Sequence, residues 1–491
     1  MQQSDFLAVL PALALIVGAL LAVGVDAVVN RDRKSTASEF LSYAAIVVSL
    51  ASVIWPLLKT KEAVEGFGGF VVLDKLALFL SLAILAATGL MIILSADYLK
   101  DRGVPPGEYH GLVLFAAAGM ILLVQAQELV TLFVSLEILS LSVYVLSGLF
   151  RREARSNEAA VKYFVIGAFA TGFLLYGMAF LYGASGSLRL VEIGAALRVP
   201  AEENLTLGNL GLAMVAIGFA FKVGAAPFHM WVADVYEGAP TCVTAFMSVA
   251  VKASAFGAFL RIFASAALPQ VESWGPLFGG LALATMVVGN LMALWQRSVK
   301  RMLAYSSVAH AGYVLVAFAS LQGEGPLIRE QAAASAVFYL FAYTFMTLGA
   351  FAFVIWAGKG GKDAEDLEDY AGLAKRRPWA ALAMTVFMVS LSGIPPAAGF
   401  FGKFLVFKAA MAAGEYALVI VGVLSSAVSV YYYLRVTVYM YMHPEGAPTE
   451  EKPSPNVGMV VLASAAFTLL LGIIPQRFLE QSFDSVKSLL R

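Results

Sequence analysis

Apolar runs of about 20 residues recur from one end of this sequence to the other, and they constrain the fold more than any other feature. About fourteen occur, at 5–28, 39–58, 70–98, 110–127, 129–149, 158–184, 207–236, 241–264, 275–296, 302–322, 328–357, 379–413, 416–442 and 456–475. Inside hydrocarbon a backbone must satisfy its own N–H and C=O groups, so runs of this length predict spanning helices. The rest of the composition agrees. With 60% hydrophobic and 13% charged residues over 491 positions, there is too little polar surface to cover a water-soluble fold of this size. The predicted fold class is an all-α membrane protein of about fourteen transmembrane helices. No long polar segment or Pro-rich linker divides it. The first run follows Met-Gln-Gln-Ser-Asp, without a basic leader, and reads as a retained helix.

Charge and cysteine usage narrow the function. A net charge of zero gives no reason to expect a nucleic-acid partner, and one cysteine, Cys242, excludes an internal disulfide or a cysteine-ligated iron–sulfur cluster. Lys and Arg lie mainly in the odd-numbered connections: Arg31, Arg33 and Lys34; Lys100 and Arg102; Arg151, Arg152 and Arg155; Arg297, Lys300 and Arg301; Lys359, Lys362, Lys375, Arg376 and Arg377. Positive charge collects on the cytoplasmic side, so both termini are expected outside.

Two runs are unusually long and are broken by Gly and Pro. One reads Phe221-Lys-Val-Gly-Ala-Ala-Pro-Phe-His229, the other Ser392-Gly-Ile-Pro-Pro-Ala-Ala-Gly-Phe-Phe-Gly-Lys403. Upstream of them Phe169, Ala170, Phe173 and Gly177 match Phe341, Ala342, Phe345 and Gly349 at a constant offset. The breaks lie five helices apart, so the second copy must run in the opposite sense. Paired broken helices in inverted repeats are an architecture for ion sites near the bilayer midplane.

Ionisable groups deep in apolar runs then stand out: Glu137, Lys222, Lys252 and Lys403. Each costs about 2.5–3.5 kcal/mol or more to insert. Polar residues accompany them at helical spacing: Ser140, Tyr144 and Ser147 after Glu137; Thr244 and Ser248 before Lys252; Ser306 and Tyr313 around His310; and Tyr339, Tyr343 and Thr347. Such stripes can hold a file of water within a bundle, which is what a lateral proton wire needs. An amine out of water favours its neutral form and a nearby carboxylate favours the charged one, so a movable Glu–Lys pair makes a switch. Moving the charges from about 4 to 7 Å apart at an effective dielectric of about 20 removes about 1.8 kcal/mol, against about 2.3 kcal/mol to export a proton across 100 mV.

Other polar residues have plainer readings. His229 and His310 read equally well as satisfied core histidines. Asp74, Lys75 and Lys162 are expected to snorkel or pair locally, and Arg261 and Arg435 to sit near helix ends or pair locally. Asp234 and Glu237 are expected to cap a helix end. Gly358–Lys362 is not a phosphate-binding motif and reads as a loop. The run from Asp363 to Arg377 reads as a solvated connector, and Tyr431–Tyr433 as interfacial anchors.

Two strings carry a resemblance. Lys222-Val-Gly-Ala-Ala-Pro-Phe-His-Met-Trp-Val-Ala-Asp-Val-Tyr-Glu-Gly-Ala-Pro-Thr241, followed by Lys252, resembles the signature of the antiporter-like subunits of respiratory complex I, the NADH–quinone oxidoreductase. Its Asp234–Thr241 part, and Ser390-Leu-Ser-Gly-Ile-Pro-Pro-Ala-Ala-Gly-Phe-Phe-Gly-Lys403, resemble the subunit N branch. The resemblance implies three N-terminal helices (1–107), two inverted five-helix repeats (108–270 and 271–443) and a last helix (444–491). It implies Glu137 and Lys222 as a switching pair, Lys252 as central relay, Lys403 as terminal proton group, and His229 and His310 as auxiliary groups. It further implies a non-redox, proton-translocating subunit in the bacterial inner membrane, binding no cofactor itself. NADH, FMN, iron–sulfur clusters and quinone would belong to partner subunits, which would include a neighbouring antiporter-like subunit and small membrane subunits. A subunit of a sodium/proton antiporter complex is the alternative, since such proteins share this ancestry.

Overall fold

The computed structural model describes residues 2–29, 36–59, 63–100, 102–198, 202–358, 362–444 and 454–490. Twelve crossings are single or bulged helices: Gln3–Val29, Ala37–Lys59, Lys75–Lys100, Pro106–Gln125, Leu129–Ser147 and Ala154–Ser185; then, as eighth to eleventh, Thr241–Ala266, Val271–Leu294, Val299–Ala319 and Pro326–Trp356; and last Tyr416–Met442 and Pro455–Ile473. The seventh and twelfth are each broken in two, Glu202–Val223 with Met230–Gly238 and Pro378–Ser392 with Ala398–Ala412. This is the all-α architecture expected, with a broken helix in each half. Fourteen crossings return the chain to the side on which it began. A hairpin (Val64–Gly66 paired with Val71–Leu73), the short helix Leu190–Arg198 and the C-terminal helix Gln476–Val486 lie on that side.

The two breaks have one cause. Gly224 (φ +75°) and Gly393 (φ +85°) end their helices in the left-handed conformation that glycine adopts without strain, and the prolines that follow cannot donate to a continuing helix. The freed polar groups are satisfied inside the protein. Trp231 Nε1 donates to the Phe221 carbonyl (3.2 Å), and the Ala226 amide to Thr285 Oγ1 (2.9 Å). At the second break the Gly399 amide donates to Ser390 Oγ (3.1 Å). Irregular backbone survives at membrane depth only where protein shields it in this way.

Burial sorts the crossings. The most apolar windows of the eighth and tenth are 100% buried and that of the eleventh 94%, against 28–39% for the first, second, sixth and thirteenth. The first group therefore forms the interior and the second faces lipid. Close approach of the ninth and tenth depends on Gly289, where an added Cβ would meet the Ala309 backbone nitrogen at 2.4 Å.

Several expectations about charges are corrected. Arg261 and Asp74 do not pair locally: Arg261 is 1% exposed and makes two 2.9 Å bonds to Asp74, 187 positions away, and a third to the Val124 carbonyl. Lys75 reaches Asp484 of the C-terminal helix (3.6 Å). Asp234 and Glu237 do more than cap a turn. Asp234 bonds Lys162 (2.9 Å) and Arg301 (3.1 Å), and Glu237 bonds Arg301, tying the second half of the broken seventh helix to the sixth and tenth. Lys162 does pair locally with Glu158 (2.7 Å), but Arg435 lies two turns inside the thirteenth crossing and reaches the carbonyls of Leu294 and Gln296 at the end of the ninth. The 363–377 connector is not simply solvated, because Asp363 is bonded to Tyr98 (2.9 Å), Arg102 (3.2 Å) and Thr241. Arg31, Arg33, Lys34 and positions 359–361 lie outside the described residues.

Candidate functional site

Four lysines are buried at 2–4% exposure: Lys300, at the start of the tenth crossing, pairs with Glu365 (3.4 Å), whereas Lys222, Lys252 and Lys403, on the seventh, eighth and twelfth, are each held by oxygens other than carboxylates. Lys222, in the last turn before the first break, donates to Ser140 Oγ (2.7 Å) and lies 5.5 and 5.4 Å from the ring centres of Tyr144 and Tyr163. Lys252 follows a π-helical turn, Met247–Val251, in the wholly buried eighth helix. It donates to the Ser307 carbonyl (2.5 Å) and hydroxyl (3.0 Å) on the tenth. Single π turns of this kind are frequent at functional sites. Lys403 donates to the carbonyls of Leu391 and Ser392 (both 3.0 Å) and to Ser426 Oγ (2.9 Å), with the Tyr313 ring at 4.8 Å. The two carbonyls end the first half of the broken twelfth helix, so the break itself supplies the acceptors.

Glu137 is half-buried and accepts from Thr171 (3.1 Å). Among the described residues no ion pair within 4 Å joins it to Lys222. Instead Ser140, one turn further along the same helix, holds the amine. His310 is 2% exposed and lies between Lys252 and Lys403 in the order of contacts. Its Nδ1 meets Tyr339 OH (2.6 Å) and its Nε2 meets Tyr433 OH (3.1 Å), which also bonds Ser306. Beside it, Tyr432 OH donates to Asn290 Oδ1 (3.0 Å), and Asn290 Nδ2 to Tyr313 OH (3.3 Å), the ring that faces Lys403. The hydroxyls of Tyr343 and Thr347, on the eleventh helix, are buried without a protein partner. His229 is not brought to this axis. It is half-buried beside exposed Pro227 and Met230, and its Nδ1 has no hydrogen-bond partner.

Sequence reasoning missed Tyr432, Tyr433 and Asn290. Tyr432 and Tyr433 are fully buried and only Tyr431 is exposed, at 63%, so the three are not a row of anchors. Ser425, Ser429 and Tyr433 step by four along the thirteenth helix, a polar face that would have marked them. Ser307 and Ser426 gave no signal of their own.

A cavity of about 610 Å³ opens on the side away from the termini, over the Gly238–Pro240 turn. Glu153, Glu237, Asp363, Glu365 and Lys300 are among its lining residues. Thr241, whose hydroxyl donates to Asp363, starts the helix that leads to Lys252, eleven residues or about 16 Å further in.

The family model described as NADH:quinone oxidoreductase/Mrp antiporter, TM, matches residues 126–429. NADH-quinone oxidoreductase subunit N of Trichlorobacter lovleyi is 46% identical, over 86% of this chain and 86% of its own length. That of Myxococcus xanthus is 45% identical over 96% and 95%. A chain of respiratory complex I from Thermus thermophilus, solved with bound aureothin, is 34% identical with a TM-score of 0.79, over 96% of this chain and 98% of that one. A chain of the Mrp complex of Dietzia sp. DQ12-45-1b has a TM-score of 0.84 over 100% and 98% at 22% identity, a likeness of fold alone.

Proposed function

The chain belongs to the NADH:quinone oxidoreductase/Mrp antiporter transmembrane family, in its subunit N branch, and on that premise we propose that it is a proton-translocating, non-redox subunit of a membrane-bound NADH–quinone oxidoreductase. Electron transfer from NADH to quinone takes place in partner subunits, which hold the FMN and iron–sulfur clusters. This chain exports protons through Glu137, Lys222, Lys252 and Lys403. Its neighbours are another antiporter-like subunit and small membrane subunits, in a bacterial inner membrane with both termini outside.

One observation supports this reading above the others. Among the described residues Lys222, Lys252 and Lys403, unlike buried Lys300 with its Glu365, have no carboxylate within 4 Å, and each is solvated by hydroxyls, carbonyls or ring faces. A lysine buried for structural reasons needs a fixed counter-charge, because an unpaired buried ion is expensive. A lysine that carries a mobile proton needs oxygens that accommodate both its forms. The cavity over Pro240 then serves as the cytoplasmic entrance, leading through Thr241 to Lys252, and the His310–tyrosine cluster joins Lys252 to Lys403.

The test is Lys222→Ala in the assembled complex. NADH-driven quinone reduction and proton uptake into inverted vesicles are measured together. Proton uptake should fall at least about tenfold, equivalent to 1.4 kcal/mol, with the subunit still in the membrane. Normal uptake in an assembled complex would remove Lys222 from the path.

A further inference from the structure

A second cavity, also about 610 Å³, lies on the side of the termini and touches none of the lysines above. Its walls are the start of the third helix at Asp74, the end of the eighth at Arg261–Ala266, the surface helix Leu190–Arg198, the start of the eleventh at Arg329, and residues 488–490. Its lining holds three arginines, Arg198, Arg261 and Arg329, against one acid, Asp74, a balance of 3 − 1 = +2. Asp74 is fully engaged by Arg261. Among the described residues Arg198 and Arg329 form no ion pair, and Arg329 Nε is buried with no hydrogen-bond partner at all. Arginine is always charged and presents a planar fork of donors; Arg198 is exposed at the cavity mouth, while the buried Nε of Arg329 leaves a donor on the cavity wall that an anion would satisfy.

The surroundings identify which anion. The cavity sits where the third, eighth and eleventh helices end, at the depth of lipid headgroups. Its lining includes the apolar Leu190, Leu268, Leu489 and Val191, of which Val191 is 77% exposed. It also lies on the side poorer in basic residues, so the pair of free arginines departs from the general charge pattern. We propose that this cavity binds the phosphate headgroup of an anionic phospholipid, held by Arg198 and Arg329, with its acyl chains leaving over the apolar part of that lining. The Arg261–Asp74 pair is the rigid floor. The bound lipid ties the surface helix 190–198 to the eleventh helix and the C-terminal segment, three pieces joined there by no ion pair of their own among the described residues.

This site is independent of the proton path, and so is its test. The assembled complex is reconstituted in nanodiscs with diazirine-labelled phosphatidylglycerol or diazirine-labelled phosphatidylcholine, and labelled peptides are mapped. Both lipids carry the phosphodiester, but the fixed cation of choline cancels its charge and would sit beside Arg198 and Arg329, so phosphatidylglycerol should label residues 190–198, 264–269 and 488–490 at least about tenfold more than phosphatidylcholine, equivalent to about 1.4 kcal/mol. In Arg198→Gln/Arg329→Gln that excess should disappear, while Arg477→Gln, at an exposed position outside the cavity, should keep it. Quinone reduction checks assembly, and the wild-type comparison of the two lipids decides the matter if the double variant fails to assemble. Equal labelling by both lipids would overturn the proposal. So would loss of phosphatidylglycerol labelling in millimolar inorganic phosphate, which would make this a free-anion site, or labelling elsewhere because a neighbouring subunit fills the cavity.

Discussion

Replacing Lys403 by arginine separates charge from proton exchange at the far end of the axis. The ammonium has three hydrogens, and three oxygens receive them: Leu391 O, Ser392 O and Ser426 Oγ, at 2.9–3.0 Å. Arginine keeps the charge and at least as many donors, so the break at Gly393 retains its counterpart and the subunit should assemble. Proton exchange does not survive. A guanidinium keeps its proton throughout the physiological pH range. A path that requires the neutral form at this position should be closed for practical purposes. Lys403→Ala fails differently. Ser426 still donates to Ser392 O (3.1 Å), but Leu391 O loses its lysine donor, and a buried acceptor left unpaired costs about 1–3 kcal/mol. Alanine should therefore impair transport at least as much as arginine and also loosen the break. The assay is NADH-driven quinone reduction with simultaneous proton uptake in inverted vesicles. Full proton uptake per electron in Lys403→Arg would show that this position needs only a fixed charge, and the path would have to end elsewhere.

Three further outcomes follow from the contacts. Glu137→Asp should reduce proton uptake less than Glu137→Gln, because it keeps the carboxylate facing Lys222; equal damage would favour geometry over charge. Tyr433→Phe removes the hydroxyl shared by His310 and Ser306 and should slow proton uptake on the order of tenfold, from the loss of a buried hydrogen bond of about 1–3 kcal/mol; an unchanged rate would take the thirteenth helix out of the relay. Asp74→Ala leaves Arg261 buried without its counter-charge and should cost about 3–5 kcal/mol, seen as a lower melting temperature or lower yield of assembled complex. Asp74→Ala/Arg261→Met should recover much of that loss, and a double variant as unstable as the single would refute the assignment.

The sequence was most informative where one physical rule acts alone. Spanning helices are forced by the need to satisfy the backbone in hydrocarbon, and the boundaries read from apolar runs lie close to those observed. The breaks were legible because Gly224 and Gly393 are followed within three residues by Pro227, Pro395 and Pro396, which cannot donate to a continuing helix. The deep charges were legible because nothing else places Lys222, Lys252 and Lys403 among apolar residues. What stayed hidden is pairing across sequence distance. Asp74 looked like a helix-start residue and Arg261 like a helix-end residue, and only the packing of the third helix against the eighth brings them together. The same holds for Asp363, whose partners come from two distant parts of the chain, Tyr98 and Arg102 at the end of the third helix and Thr241 at the start of the eighth. Tyr433 was misread because three consecutive tyrosines suggest one shared environment, whereas a helix turns them 100° apart and sends two of them inward.

The three lysines of the proposed path are not equivalent, and the difference would give that path a direction. An ammonium offers three hydrogens. Among the described residues Lys222 finds one hydrogen-bond acceptor, Ser140 Oγ, with two aromatic faces beside it. Lys252 finds two, the carbonyl and hydroxyl of Ser307. Lys403 finds three, and two of them are carbonyls freed by a helix break, whose dipoles point at the charge. Fixed acceptors compensate desolvation only by the number and geometry of bonds they make. By hydrogen-bond acceptors alone a positive charge is therefore better accommodated at each step from Lys222 to Lys403, and at the Lys222 end it depends most on Glu137 and the ring faces. That is the end where a small movement of a carboxylate has most effect, because little else there offsets the cost of the charge. Glu137, half-buried on the fifth helix and held through Thr171 of the sixth, is placed to exert that control from the outer face of the bundle, whereas Lys403 is enclosed by the twelfth and thirteenth. In the relay proposed above, a signal from outside the chain would reach the weakly solvated end first, and the well-solvated end would hold the charge before release.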